Sequence, residues 1–260
     1  MHDEQNGYSQ EAVNFRSLYR DDRTSVQAQQ NLERLTSERH WDSDRFRAVV
    51  VTLASLGEGK NIPSPNRPES INLTSWRPIL NSLTNRQSSL GKEIGLMIFA
   101  DLGSGKLMTG KTTIGKIREV APVLDPKLGR AALQKPVIPI HTHPTDFGDS
   151  ILGNTFSEED LVVLLGNPDL RAMMVGYGEG DWLLALKTSV TPNNLSEETI
   201  RRRVRAATED AVTNRGAGGY VKGVLGVNGE NRTKEICTQL GMTLYASSNQ
   251  DTVFRRVDVT

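Results

Sequence analysis

Apolar residues recur along this chain with two spacings, and the change from one to the other separates an N-terminal helical stretch from a mixed remainder. Val26, Leu32 and Leu35 mark a weakly apolar helix. Phe46, Val49, Val50 and Leu53 then follow the i, i+3, i+4, i+7 rule of a helix buried on one face, ending before Gly57. Three prolines in the eight residues Asn61–Pro68 are too rigid and donor-poor for helix or strand, and predict a linker. Residues 1–24 are polar and punctuated and are expected to form a flexible tail. The expected organisation is therefore a tail over 1–24, a helical extension and proline-rich linker over 25–72, and one main unit over 73–260.

Within that unit a helix is predicted around Leu73–Leu83 in spite of Pro78. The continuous apolar run from Glu93 to Ala100 then reads as a buried strand. The turn Asp101–Gly105 returns it into Lys106–Ile114 as a hairpin, and Val137–His141 gives a third strand whose Pro139 suggests an edge position or an interruption. Ser157-Glu-Glu-Asp opens an apolar helix that Gly166-Asn-Pro stops. Two further strands follow, Ala172–Gly176 and Trp182–Lys187, joined by a glycine turn. Helices from Ser196 to about Thr213 and from Thr233 to Leu240 close the pattern, so the expected fold class is α/β.

Composition narrows the chemistry. Lys plus Arg is 31 and Asp plus Glu is 31, so total charge attracts neither nucleic acid nor an acidic membrane. The helix bearing Arg201, Arg202, Arg203 and Arg205 is flanked by Glu197, Glu198, Glu209 and Asp210 and reads as a solvated face. No apolar stretch reaches membrane-span length and the N-terminus lacks a signal-peptide pattern, so a cytoplasmic protein is expected. The single cysteine, Cys237, excludes an intrachain disulfide and a multi-thiolate metal site, and its apolar helical neighbours make it a small core residue. Of four histidines, two stand together in His141-Thr-His143-Pro.

In a strand, residues i and i+2 point the same way, so both imidazoles can face one ion. A water-activating metal needs a third protein ligand and an open position. Asp160 lies in the first turn of the next helix, where the dipole favours a carboxylate, and Ser157 is its natural N-cap. Histidine pair, loop and capped acid together point to a metal site.

Glu93-Ile-Gly, His141-Thr-His143-Pro and Ser157-Glu-Glu-Asp160, in that order on strand, strand end and helix start, resemble the JAMM signature of the JAB/MPN metalloproteases. The resemblance covers about 100 of the 260 residues and implies an MPN/JAB-like mixed β-sheet flanked by helices. It implies one zinc ion per chain held by His141, His143 and Asp160, with Glu93 as general acid/base on the zinc-bound water and Ser157 stabilising the oxyanion. It further implies a protein substrate: a ubiquitin-like or sulfur-carrier-like protein or its conjugate, hydrolysed at a peptide or isopeptide bond. Sixteen residues separate His143 from Asp160, a longer loop than the family usually has, and in it Asp146 and Asp149 are rival ligands. Glu119 is the rival base.

A second motif competes. Gly105-Lys-Leu-Met-Thr-Gly110-Lys111-Thr112 fits the phosphate-loop pattern G-x-x-x-x-G-K-[ST]. A phosphate loop must open a helix, yet β-branched Thr113-Ile114 and then Gly115 follow, so a hairpin is the expectation. A nucleotide-binding protein or a non-catalytic MPN-like interaction module is the alternative function.

Overall fold

The computed structural model describes residues 24–57, 59–115, 133–144, 156–178, 180–193, 195–213, 228–248 and 250–257. Among them the helices are α1 (Thr24–Leu35), α2 (Ser43–Ser55), α3 (Arg77–Leu90), α4 (Glu158–Gly166), α5 (Glu197–Thr213) and α6 (Asn228–Gln239). The strands are β1 (His40–Trp41), β2 (Ser70–Asn72), β3 (Ile94–Asp101), β4 (Lys106–Thr109), β5 (Thr113–Ile114), β6 (Gln134–Thr142), β7 (Ala172–Tyr177), β8 (Asp181–Lys187), β9 (Met242–Ser247) and β10 (Val253–Arg256). They form one mixed sheet in the order β1-β2-β10-β9-β8-β7-β6-β3-β4, with β5 also paired to β3. The pairs β1/β2 and β6/β7 are parallel and the rest antiparallel. The molecule is thus mixed α/β, a sheet with helices on both faces.

Burial on both faces explains why β3 is apolar throughout. Ile94, Leu96 and Ile98 join Phe46, Val49, Val50 and Leu53 of α2 and Leu80 and Leu83 of α3 in one core. Met97 and Phe99 turn the other way, onto Leu161, Leu164 and Leu165 of α4, Val204 of α5 and Ile236 of α6. Each such buried aliphatic or aromatic side chain contributes about 1.5–3 kcal/mol. Asp42 caps α2 by accepting from the Arg45 N–H at 2.7 Å.

The 25–72 stretch shares this core and does not stand apart from it. Eight residues of α2 are buried, β2 pairs with β10, and Ile62 of the proline run is fully buried and bridges to Thr188. The prolines shape the backbone without detaching it. Pro139 lies inside the sheet, not at its edge, yet the ladder to β7 begins only at Ile140, after the residue that has no N–H to give. Pro78 stands at the second position of α3, where a missing N–H costs nothing. The tail residues 1–23 lie outside the described residues.

Candidate metal centre

The site forms where the end of β6 meets the start of α4. His141 ends β6 beside Thr142, and His143 follows it; the His143 N–H donates to the Gly176 carbonyl at 2.8 Å, which extends the sheet geometry past the strand. Thr142 faces the opposite side and bonds the backbone of Ile94. Both imidazoles therefore project onto the face covered by α4. Gly95 stands across from His141 in the β3–β6 register, so no side chain competes for that space.

Asp160 arrives from the other side. Its N–H donates to Ser157 Oγ at 3.1 Å while its own Oδ2 accepts the Ser157 N–H at 2.7 Å, a reciprocal capping box that fixes the carboxylate. The other oxygen, Oδ1, lies 3.1 Å from His141 Nε2, and His143 Nε2 is 3.6 Å from Oδ2. The two Nε2 atoms are 3.1 Å apart. All three groups offer ligand atoms within 4.8 Å of one another.

These separations can be tested against a bound cation. Ligand bonds of about 2.0–2.1 Å at tetrahedral angles place neighbouring donor atoms about 3.3 Å apart. The two Nε2 atoms, and His141 Nε2 with Asp160 Oδ1, are each 3.1 Å apart, close to that value, while His143 Nε2 lies 3.6 Å from the other carboxylate oxygen, Oδ2. The donor set fits as well: two imidazoles and a carboxylate leave a fourth position open. His141 and His143 are 4% and 6% exposed, so the group is largely shielded from bulk water.

Electrostatics agree. Burial alone would lower the His141 pKa, but the Asp160 carboxylate, helped by Glu93, raises it above its ordinary value. Burial would raise Asp160, yet His141 and His143 hold it well below the usual carboxylate range. Each partner thus favours the charged form of the other: Asp160 that of His141, and the two imidazoles that of Asp160. A buried His-His-Asp group of this kind could hold a metal ion.

Glu93 directly precedes β3 and faces His143 when the register Ile94↔Thr142 is continued by one residue. It is buried, and its charge acts on His141, but it is not one of the three clustered groups. Ser157 is the N-cap of α4, as its spacing predicts. The rival residues Glu119, Asp146 and Asp149 lie outside the described residues. Cys237 is buried in the core beside Ile236 and Leu240, with its thiol pushed up to about 12 by burial.

The phosphate-loop pattern is a hairpin. Its Lys106–Thr109 is β4, antiparallel to β3, and Thr113–Ile114 pairs with β3 as well, so Lys111 sits between two strands and opens no helix. Glycine at 110 lets the backbone approach closely, since a Cβ would lie 3.0 Å from the Met97 carbonyl oxygen and 3.1 Å from the Phe99 ring.

Three contributors to the site escape the sequence reading. Gly176 holds His143 and lies under the Trp182 ring, Arg201 bonds the two glutamates beside Asp160, and Lys187 donates to the Asn167 carbonyl at the far end of α4. Only the Glu158-Glu159-Asp160 run, which calls for nearby cations, signals any of them. No helix among the described residues is long and apolar enough to cross a membrane. Comparison with family models, with curated proteins and with solved structures finds no match.

Proposed function

We propose that this chain is a JAMM-type zinc metallopeptidase of MPN/JAB-like fold, working in the cytoplasm. Its substrate is a peptide or isopeptide bond at the tail of a ubiquitin-like or sulfur-carrier-like protein. The observation that carries the reading is the convergence of His141, His143 and Asp160 at ligand spacing with buried Glu93 beside them and outside the ligand set. Two nitrogens, one carboxylate oxygen and an open position suit catalytic zinc.

A bound zinc ion supplies Lewis acidity, polarising the scissile carbonyl and bringing the pKa of water toward about 7. Glu93 takes the proton of the attacking water and returns it to the leaving amine. Ser157 Oγ accepts from the Asp160 N–H, so its hydroxyl hydrogen is available to donate to the oxygen on which negative charge develops. Asp160 keeps both histidines oriented while its own carboxylate is held by the Ser157 backbone.

The test is Glu93→Gln, assayed on ubiquitin-like proteins carrying peptide and isopeptide extensions, with zinc content measured alongside. The amide is nearly isosteric but accepts no proton, so zinc should remain and the rate should fall about 10²–10⁴-fold. Retained zinc with nearly wild-type hydrolysis would remove Glu93 from the chemistry. Lost zinc would make it a ligand, and an inactive wild type that binds zinc would favour the non-catalytic interaction module.

A further inference from the structure

The metal ligand Asp160 is the third of three consecutive carboxylates, and the first two do not face the histidines. Glu158 and Glu159 turn to α5, where Arg201 meets both. Arg201 Nη1 donates to Glu158 Oε1 at 2.8 Å and to Glu159 Oε1 at 2.7 Å, and Nη2 donates to Glu159 Oε2 at 2.6 Å. Its Nε donates to Glu197 Oε1 at 2.8 Å, tying the guanidinium to its own helix. Arg205 adds bonds to Glu158 from Nε at 3.2 Å and Nη2 at 3.1 Å.

An isolated ion pair at a surface is worth little. This arrangement differs in two ways. The fork engages Glu159 through both oxygens, and the arginine side chain is only 25% exposed. The helix that it grips is nine residues long, and the grip falls on the same turn as the ligand. Phe156 anchors the residue before the N-cap and Leu161, Leu164 and Leu165 seat the helix beyond Asp160, while the polar groups of the first turn itself are held by the capping box and by α5.

We propose that Arg201 is a positioning residue of the metal centre, holding the first turn of α4 so that Asp160 presents its carboxylate to His141 and His143. The inference rests on the metal-site reading above. Two consequences follow from the geometry. The two arginines offset Glu158 and Glu159, so Asp160 is the one carboxylate of the turn left to face the histidines. Lysine cannot replace the fork, because a single ammonium cannot span two carboxylates and a third residue with fixed planar geometry.

The experiment titrates zinc against a competing chelator with the full chain and follows thermal unfolding of the metal-free protein in parallel. Groups that orient metal ligands typically matter about 10–100-fold in affinity, so Arg201→Gln should weaken zinc binding by at least about tenfold. Arg201→Lys should recover only part of it. Arg203→Ala, an exposed site on the same helix, should change nothing. Metal-free melting should move little in all three, and the Arg201-dependent part of the affinity should shrink as salt is raised. Unchanged affinity in Arg201→Gln, or full recovery in Arg201→Lys, would overturn the proposal. Should Arg201→Gln fail to fold, Glu159→Gln carries the test: affinity equal to wild type refutes the clamp. A wild-type protein that binds no zinc would instead refute the metal-site reading itself.

Discussion

Replacing Lys187 by methionine should stabilise the protein at pH 6 and give back that gain by pH 9. Lys187 is fully buried at the end of β8, and its ammonium donates to the Asn167 carbonyl at 2.9 Å, just past α4. Burial first, and then the positive charge of Arg171, push its pKa from 10.5 down to about 7, with Asp169 opposing. Below pH 7 the lysine is charged in both folded and unfolded chains, and folding bears the full cost of burying it. Between pH 7 and 10.5 the unfolded chain binds a proton that the folded chain does not, so stability rises with pH by up to about 1.4 kcal/mol per pH unit. The whole displacement is worth on the order of 5 kcal/mol.

Methionine has similar length and no charge, but it leaves the Asn167 carbonyl without its donor, a cost of about 1–3 kcal/mol. The variant should therefore be more stable than wild type by about 2–4 kcal/mol at pH 6, and about equal to it at pH 9, where roughly 3 kcal/mol of the lysine's burden has been lifted. Urea unfolding of both metal-free proteins at pH 6, 7, 8 and 9 reads this out. Taking the difference between them cancels other titrations. The raised His141 stabilises at low pH and loses that effect as pH climbs, and the Cys237 thiol, at about 12, would lower stability above its ordinary 9. Parallel stability profiles, or a variant weaker than wild type at pH 6, would refute the reasoning.

Gly176→Ala should destabilise by about 1–3 kcal/mol, because the new methyl would sit 2.8–2.9 Å from the Trp182 ring. Since the Gly176 carbonyl holds the His143 N–H, zinc affinity should fall with it; a thermal melt and a zinc titration that both match wild type would contradict this. A chain starting at Leu73 should fail to fold, since it lacks α2 with its eight buried residues and the strands β1 and β2. Circular dichroism and gel filtration showing a monomeric, cooperatively melting fragment would contradict the shared core.

The parts of the site legible in the sequence are those that local rules govern. His141 and His143 are two apart at a strand end, and Ser157 and Asp160 three apart at a helix start, so period and capping alone set each pair's geometry. Glu93 stood out only through the family resemblance, because its place opposite His143 depends on the β3–β6 register. Arg201 reads as one of a charge run until α5 is laid against α4, since its partners Glu158 and Glu159 are 43 and 42 residues away. In the fold, β1 and β2 span two and three residues and have no periodicity to detect. β9 is buried on both faces, so Met242, Thr243, Leu244 and Tyr245 show no alternation. The prolines at 63, 65 and 68 mark irregular backbone correctly, but chain irregularity says nothing about whether Ile62 is buried.

The central claim is that His141, His143 and Asp160 hold one catalytic metal ion. Elemental analysis of the purified full chain tests it most directly, because it identifies the metal, and two imidazoles with a carboxylate would also accept ferrous iron. The expected result is about one zinc per chain, lost in His141→Ala and in Asp160→Ala and retained in Asp149→Ala. No bound metal, or zinc that survives both ligand substitutions, would contradict it.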